Sequence, residues 1–209
     1  GTDTLWGGSS DDIITIAASG QGDADTLDGY GGTDILQLSA GTHTFTTNDN
    51  MIKNIEEVKV DTTSGSTVDL TNQTEGFKIT VGGQTDSITG SDGNDIIIIT
   101  SAGDGNNDTL IGGSGDDVIN LSAGSHTFSD NAKLATIETI NANASATTLD
   151  LTGQLEGFTI AGGAQGDNLT GGSGNDIITG GGGDDTLKGG AGNDTLNVDS
   201  GSDLSLIHI

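Results

Sequence analysis

The sequence contains no cysteine and no proline. Without cysteine, disulfides and thiolate metal sites are excluded. Aromatic residues make up 3% of the chain and apolar residues 31%, so material for an ordinary core is scarce. Positive charge is nearly missing: 5 Lys and Arg stand against 31 Asp and Glu, a net charge of -26. Such a chain repels phosphate, and no nucleic acid partner is expected. No apolar run approaches the ~18 residues of a membrane-crossing helix, so no transmembrane segment is expected either. The start opens mid-pattern with "GTDTLW" and does not read as a signal peptide, so the chain is expected to be a piece of something longer. Low hydrophobicity with high net charge leaves two readings: a disordered acidic chain, or a fold held by bound cations.

Glycine is what the sequence has in abundance, and it is periodic. The short period is nine residues, G-G-x-G-x-D-x-U-x, where U is a large aliphatic residue. Full copies are "GGSGDDVIN" from Gly112, "GGSGNDIIT" from Gly171, "GGGGDDTLK" from Gly180 and "GGAGNDTLN" from Gly189. Looser copies begin at Gly7, Gly20, Gly29, Val81, Gly90, Gly103 and Gly162. The sixth position holds Asp3, Asp12, Asp25, Asp34, Asp86, Asp95, Asp108, Asp117, Asp167, Asp176, Asp185 and Asp194, with a degenerate last copy at Asp203. A disordered linker has no reason to keep an aliphatic residue two places after every aspartate.

A longer period of about 82 residues lies above this one. "DILQLSAGTHTF" at Asp34 returns as "DVINLSAGSHTF" at Asp117, and "VDLTNQTEGFKI" at Val68 returns as "LDLTGQLEGFTI" at Leu149. The expected organisation is a repeat block (1–37), a spacer (38–80), a second block (81–120), a second spacer (121–161), a third block (162–203) and an atypical tail (204–209). No segment has convincing helical periodicity, and Gly, Thr, Asn and Asp are poor helix formers. The x-U-x triplets read as short strands and the glycine hexads as turns. Short strands and turns at a fixed period predict an all-β solenoid, two nonapeptides to a coil, with coils stacked ~4.8 Å apart.

Stacked coils align their turns, and each turn offers a carboxylate and carbonyl oxygens. These are hard donors suited to Ca²⁺, which accepts 6–8 oxygens in flexible geometry. Mg²⁺ demands a stricter octahedron, and zinc prefers His and Cys, of which the chain has three and none. Several Ca²⁺ ions are therefore expected, with carboxylates tolerated because cations lie between the turns.

The nonapeptides resemble the repeats-in-toxin (RTX) calcium-binding repeat. The resemblance implies a right-handed parallel β-roll with Ca²⁺ between the loops of repeats n and n+2. Transferred by position, it pairs Asp12 with Asp34, Asp86 with Asp108, Asp95 with Asp117, Asp167 with Asp185, and Asp176 with Asp194. Loop donors on the same basis are Gly112, Gly171, Ser173, Gly180, Gly189 and Ala191. Ser10 replaces a loop glycine, and "GQGDAD" at Gly20 and "VGGQTD" at Val81 are degraded, so their sites are expected to be weak. The function implied is that of a calcium-binding structural or adhesive segment of a secreted or cell-surface bacterial protein, without enzymatic activity. The alternative is an accessory β-roll of a secreted enzyme or toxin whose catalytic domain lies elsewhere.

The spacers are expected to continue the solenoid as calcium-free coils. Phe45, Val58, Val60, Val68, Leu70, Phe77 and Ile79 should point inward, and so should their copies Phe128, Ile137, Ile140, Leu149, Leu151, Phe158 and Ile160. His43 and His126 are equivalent, and a structural role at a coil edge is expected of both. Glu56, Glu57 and Glu138 read as a solvated strand face. There is no H-E-x-x-H and no G-x-S-x-G hydrolase motif. At position seven, Ile13, Ile35, Ile96, Val118 and Ile177 fall on alternate turns, while the other turns carry Thr, Ser or Asn. The expectation is an apolar ladder along one outer face, available for lateral self-association. The tail "LSLIHI" breaks composition and reads either as a capping strand or as sequence foreign to the repeat.

Overall fold

In the computed structural model of the chain, residues 2–20, 24–47, 51–103, 105–142 and 145–206 are described. The degraded positions 21–23 of the "GQGDAD" copy and His208 of the tail lie outside them. The described residues form 23 strands and no helix. Every strand pairing is parallel, and the coils stack as a β-solenoid of about 9 turns.

One face is a single sheet of ten strands, running from Ile13–Ile16 to Thr195–Asn197. Spacer strands Glu57–Lys59, Lys78–Val81, Thr139–Asn141 and Thr159–Ala161 take their places in it between block strands. The opposite face is relayed through sheets of three, five and five strands. Each handover falls in the first coil of a spacer. There Gly41–Thr44 begins a new stack while Ile52–Lys53 ends the old one, and Gly124–Thr127 with Leu134–Ala135 repeats the exchange.

Alternation along each strand follows the pleat, in which successive side chains point to opposite faces. Position-eight residues such as Leu36, Ile88, Ile97, Leu110, Ile119, Leu169, Ile178 and Leu187 are buried. All fourteen spacer residues expected to point inward are buried as well. Phe45, Phe77, Phe128 and Phe158 are the largest fully buried side chains, and all four belong to spacers. Full burial of such a ring contributes ~1.5–3 kcal/mol. Buried Gln73 and Gln154 donate from Nε2 to the carbonyls of Phe45 (2.6 Å) and Phe128 (2.7 Å). His43 and His126 are fully buried, each with Nε2 3.0 Å from the carbonyl oxygen four residues earlier, Ser39 or Ser122.

Position seven faces outward in the ten-stranded sheet: Ile13, Ile96 and Ile177 are exposed, Ile35 and Val118 half-buried. The ladder is nevertheless not continuous. Pairing places Glu57 and Lys78 between Ile35 and Ile96, and Thr139 and Thr159 between Val118 and Ile177. Lys78 Nζ lies 3.1 Å from Glu57 Oε1, so an ion pair divides the stripe. Alternate-turn sorting within blocks could not reveal this, because the spacer strands occupy intervening rungs. At the tail, Leu204–Leu206 pairs in parallel with Thr186–Lys188.

Candidate metal sites

The sixth-position aspartates stack as expected, and each holds the turn below it. The Asp12 N–H donates to Asp34 Oδ1 (2.8 Å), Asp86 to Asp108 (2.7 Å), Asp95 to Asp117 (2.8 Å), Asp167 to Asp185 (2.8 Å) and Asp176 to Asp194 (3.0 Å). The series continues to Asp203, whose Oδ1 accepts the Asp185 N–H at 3.0 Å. Asp34, Asp86, Asp95, Asp108, Asp117, Asp167, Asp176 and Asp185 are buried, while Asp12 and Asp194 in the outermost coils are half-buried.

The second carboxylate oxygen turns toward the first-position glycine. A Cβ on Gly112 would collide with Asp117 Oδ2 and with the Thr136 carbonyl oxygen of the next coil. On Gly171 it would collide with Asp176 Oδ2 and the Gly189 carbonyl oxygen. At Gly180 and Gly189 it would meet Oδ2 of Asp185 and Asp194. Glycine is required at position one because oxygens from two successive turns converge where a side chain would begin.

Two loop forms alternate. In the lower loop of a pair, the second-position N–H closes on the aspartate of its own loop: Ser91 to Asp95 (2.7 Å), Gly163 to Asp167 (2.7 Å) and Gly172 to Asp176 (2.9 Å). In the upper loop the second glycine takes a positive φ, 115° at Gly113, 91° at Gly181 and 106° at Gly190. The corresponding oxygens, Asp117, Asp185 and Asp194 Oδ2, are buried without a hydrogen-bond partner, as is Asp34 Oδ2. An unpartnered buried carboxylate oxygen is costly unless a cation completes it.

Electrostatics agree. Burial raises the pKa of Asp95, Asp167 and Asp176. Asp117 is pushed up to about 6, by burial first and then by the charges of Asp95, Glu138 and Asp116. Ionised, these groups are strained, and a divalent cation relieves both causes. Among the described residues no three His, Cys, Asp or Glu side chains form a metal cluster. An ion here would draw on one carboxylate from each of two turns and on backbone carbonyls, a hard oxygen set that fits Ca²⁺.

Gly112 and Gly171 stand at this convergence, and Gly180 and Gly189 stand against Oδ2 of Asp185 and Asp194. Ser173 and Ala191 sit exposed on the loop rim, with their N–H groups donating to Gln154 O (2.9 Å) and Gly172 O (3.0 Å). Two features were missed by reading the sequence. Fifth-position side chains form a second ladder: Asp11 accepts from Thr33 N–H (2.8 Å), Asn94 from Asp116 (3.0 Å), Asn175 from Asn193 (2.8 Å) and Asp184 from Ser202 (2.8 Å). The recurrent "ND" and "DD" pairs were its signal. Second, Glu56 and Glu138 are not merely solvated: each accepts an aspartate N–H from the coil below, Asp34 or Asp117, at 2.7 Å.

A parallel β-solenoid whose turns stack carboxylates and carbonyl oxygens in this way defines a cation-binding repeat scaffold. The profile of the RTX calcium-binding nonapeptide repeat, in four copies, matches residues 1–15, 18–42, 78–98, 100–125, 161–196 and 170–204. This is more than half of the sequence, and the chain belongs to that family. It is a calcium-binding repeat segment of a family whose members are typically secreted. A comparison with curated proteins finds no match.

Proposed function

We propose that the chain is a non-catalytic, calcium-rigidified structural segment of an adhesive or surface-associated bacterial protein, compact outside the cell and unfolded inside it. The observation that carries this reading is the row of aspartates whose buried Oδ2 atoms lack partners at Asp34, Asp117, Asp185 and Asp194. With a net charge of -26, self-repulsion opposes compaction until cations neutralise the row. Extracellular calcium modules bind at ~10⁻⁴–10⁻³ M, above cytosolic calcium, which couples folding to export. The return of the spacer after a period of about 82 residues supports an extended array rather than a compact globule. Circular dichroism during a Ca²⁺ titration tests it. A disordered spectrum in chelator that turns β-rich at ~10⁻⁴–10⁻³ M Ca²⁺ is expected; a β-rich spectrum in excess chelator refutes the coupling.

A further inference from the structure

The calcium row does not stop where the nonapeptides stop. We propose that the first coil of each spacer completes one additional Ca²⁺ site with the last loop of the block beneath it, using a glutamate in place of the sixth-position aspartate. One site joins Asp34, the Asn54 carbonyl and Glu56. The other joins Asp117, the Thr136 carbonyl and Glu138. The inference rests on calcium binding by the blocks and places ions where neither the repeat pattern nor the family match does.

Two independent observations carry it. The first is an orphaned, buried acceptor. Asp34 and Asp117 are each 1% exposed, and their Oδ2 atoms have no hydrogen-bond partner. Each Oδ2 converges with a spacer carbonyl oxygen: a Cβ on Gly29 would strike Asp34 Oδ2 and Asn54 O, and one on Gly112 would strike Asp117 Oδ2 and Thr136 O. The same convergence occurs between two nonapeptide loops at Gly90, where Asp95 Oδ2 meets the Gly112 carbonyl oxygen.

The second is the substitution of the carboxylate. Within a block, the Asp95 N–H donates to Asp117 Oδ1 at 2.8 Å. At the spacer, the Asp117 N–H donates to Glu138 Oε2 at 2.7 Å, and the Asp34 N–H to Glu56 Oε2 at 2.7 Å. The spacer turn is short, with only Thr136-Ile137-Glu138 between strands Leu134–Ala135 and Thr139–Asn141. The extra methylene of glutamate makes up for the missing glycine hexad. Asn54 and Thr136 both sit at φ 51°, a left-handed conformation that is unusual for a residue other than glycine and strained for a β-branched one. Strain of this kind persists where surrounding structure enforces it, and it clusters at ligand clamps. Here the neighbouring coil holds Thr136 in place, since Glu156 Oε2 accepts its N–H at 3.1 Å. Two carboxylates and a backbone carbonyl from adjacent turns, with water completing the shell, are donors suited to Ca²⁺.

The test counts ions. Native mass spectrometry of the whole chain in Ca²⁺ compares wild type with Glu56→Gln, Glu138→Gln and the double variant; Gln keeps the length and an acceptor for the aspartate N–H. Each single variant is expected to bind one ion fewer and the double variant two fewer, with an unchanged β-rich spectrum. Ion counts equal to wild type overturn the proposal. A second measurement does not depend on variants folding: anomalous scattering from Ca²⁺-loaded wild-type crystals should place density beside Asp117 Oδ2, Thr136 O and Glu138. Density between the Asp95 and Asp117 loops but none at Glu138 overturns this proposal alone. Density at none of these loops overturns the calcium reading with it.

Discussion

A coil of the third block and a coil of the second spacer close the same backbone circuit with different materials. In the block, Ile178 and Leu187 are single aliphatic plugs, and buried Asp176 and Asp185 hold the turns. In the spacer, Phe128, Phe158, His126 and Gln154 fill the interior, and the turns need no glycine hexad. Both coils belong to one parallel ten-stranded sheet. The ladder of backbone hydrogen bonds is indifferent to what fills the coil, so cation binding and apolar burial are interchangeable sources of stability along one solenoid. They are not equivalent in response: one depends on solution conditions and the other does not.

Removing calcium should break the comparison most visibly. A site saturated at 100 times its Kd contributes ~2.7 kcal/mol, and the blocks stack several. As calcium is withdrawn in steps, hydrogen exchange should therefore accelerate first in block amides such as those of Ile178 and Leu187, and later around Phe128 and Phe158. Uniform exchange across the chain would show that the spacers have no stability of their own. Next in size is Phe158→Ala, which should cost ~3–5 kcal/mol through loss of the buried ring and the cavity left behind. It should leave the number of bound ions unchanged, as native mass spectrometry would show.

Asp176→Ala should follow, at ~2–4 kcal/mol, because it strips buried acceptors from the Phe158 N–H (2.8 Å) and the Gly172 N–H (2.9 Å). Unlike the phenylalanine variant, it should raise the calcium midpoint of the third block. Asp25→Ala, whose carboxylate accepts only the exposed Asp3 N–H (2.7 Å) among the bonds described, should cost under ~1 kcal/mol. Equal midpoint shifts for the two aspartates would contradict the ranking.

Acidity should act in opposite directions with and without the ion. Asp117 has its folded pKa raised from 3.8 to about 6, by burial and then by neighbouring carboxylates. A raised carboxyl pKa means the ion-free fold favours the neutral acid. Its contribution is fully present below 3.8 and lost as pH rises through about 6. Acidifying the chelated chain from neutral pH should therefore increase its β signal, while in Ca²⁺ the midpoint should rise as pH falls through the same window, since protons compete for the carboxylates. Matching trends in both conditions would separate these groups from the metal sites.

The smallest effect concerns the outer face. Interrupted by Glu57, Lys78, Thr139 and Thr159, the patches around Ile13, Ile96 and Ile177 should support weak, calcium-dependent association. Replacing Ile96, Val118 and Ile177 with Thr should abolish it in sedimentation experiments without altering the calcium-induced spectrum.

The sequence by itself determined the solenoid, the stacking of aspartates and the inward residues. Nine-residue periodicity with one aliphatic per period leaves no other way to bury Leu36, Ile97 or Ile178, and glycine before each aspartate marks where turns crowd. Only the tertiary structure decided which strand lies next to which. Spacer coils differ in length from block coils, so local periodicity could not show Glu57 and Lys78 dividing the apolar stripe, or the opposite face passing between three sheets. Nor could it give Glu56 and Glu138 their places beside Asp34 and Asp117. Those contacts join residues 21 or 22 positions apart across a shortened turn, and a left-handed Thr136 or Asn54 carries no glycine to announce it. Spacing along the chain specifies what repeats; where the period is broken, only packing against the next coil fixes which oxygen meets which.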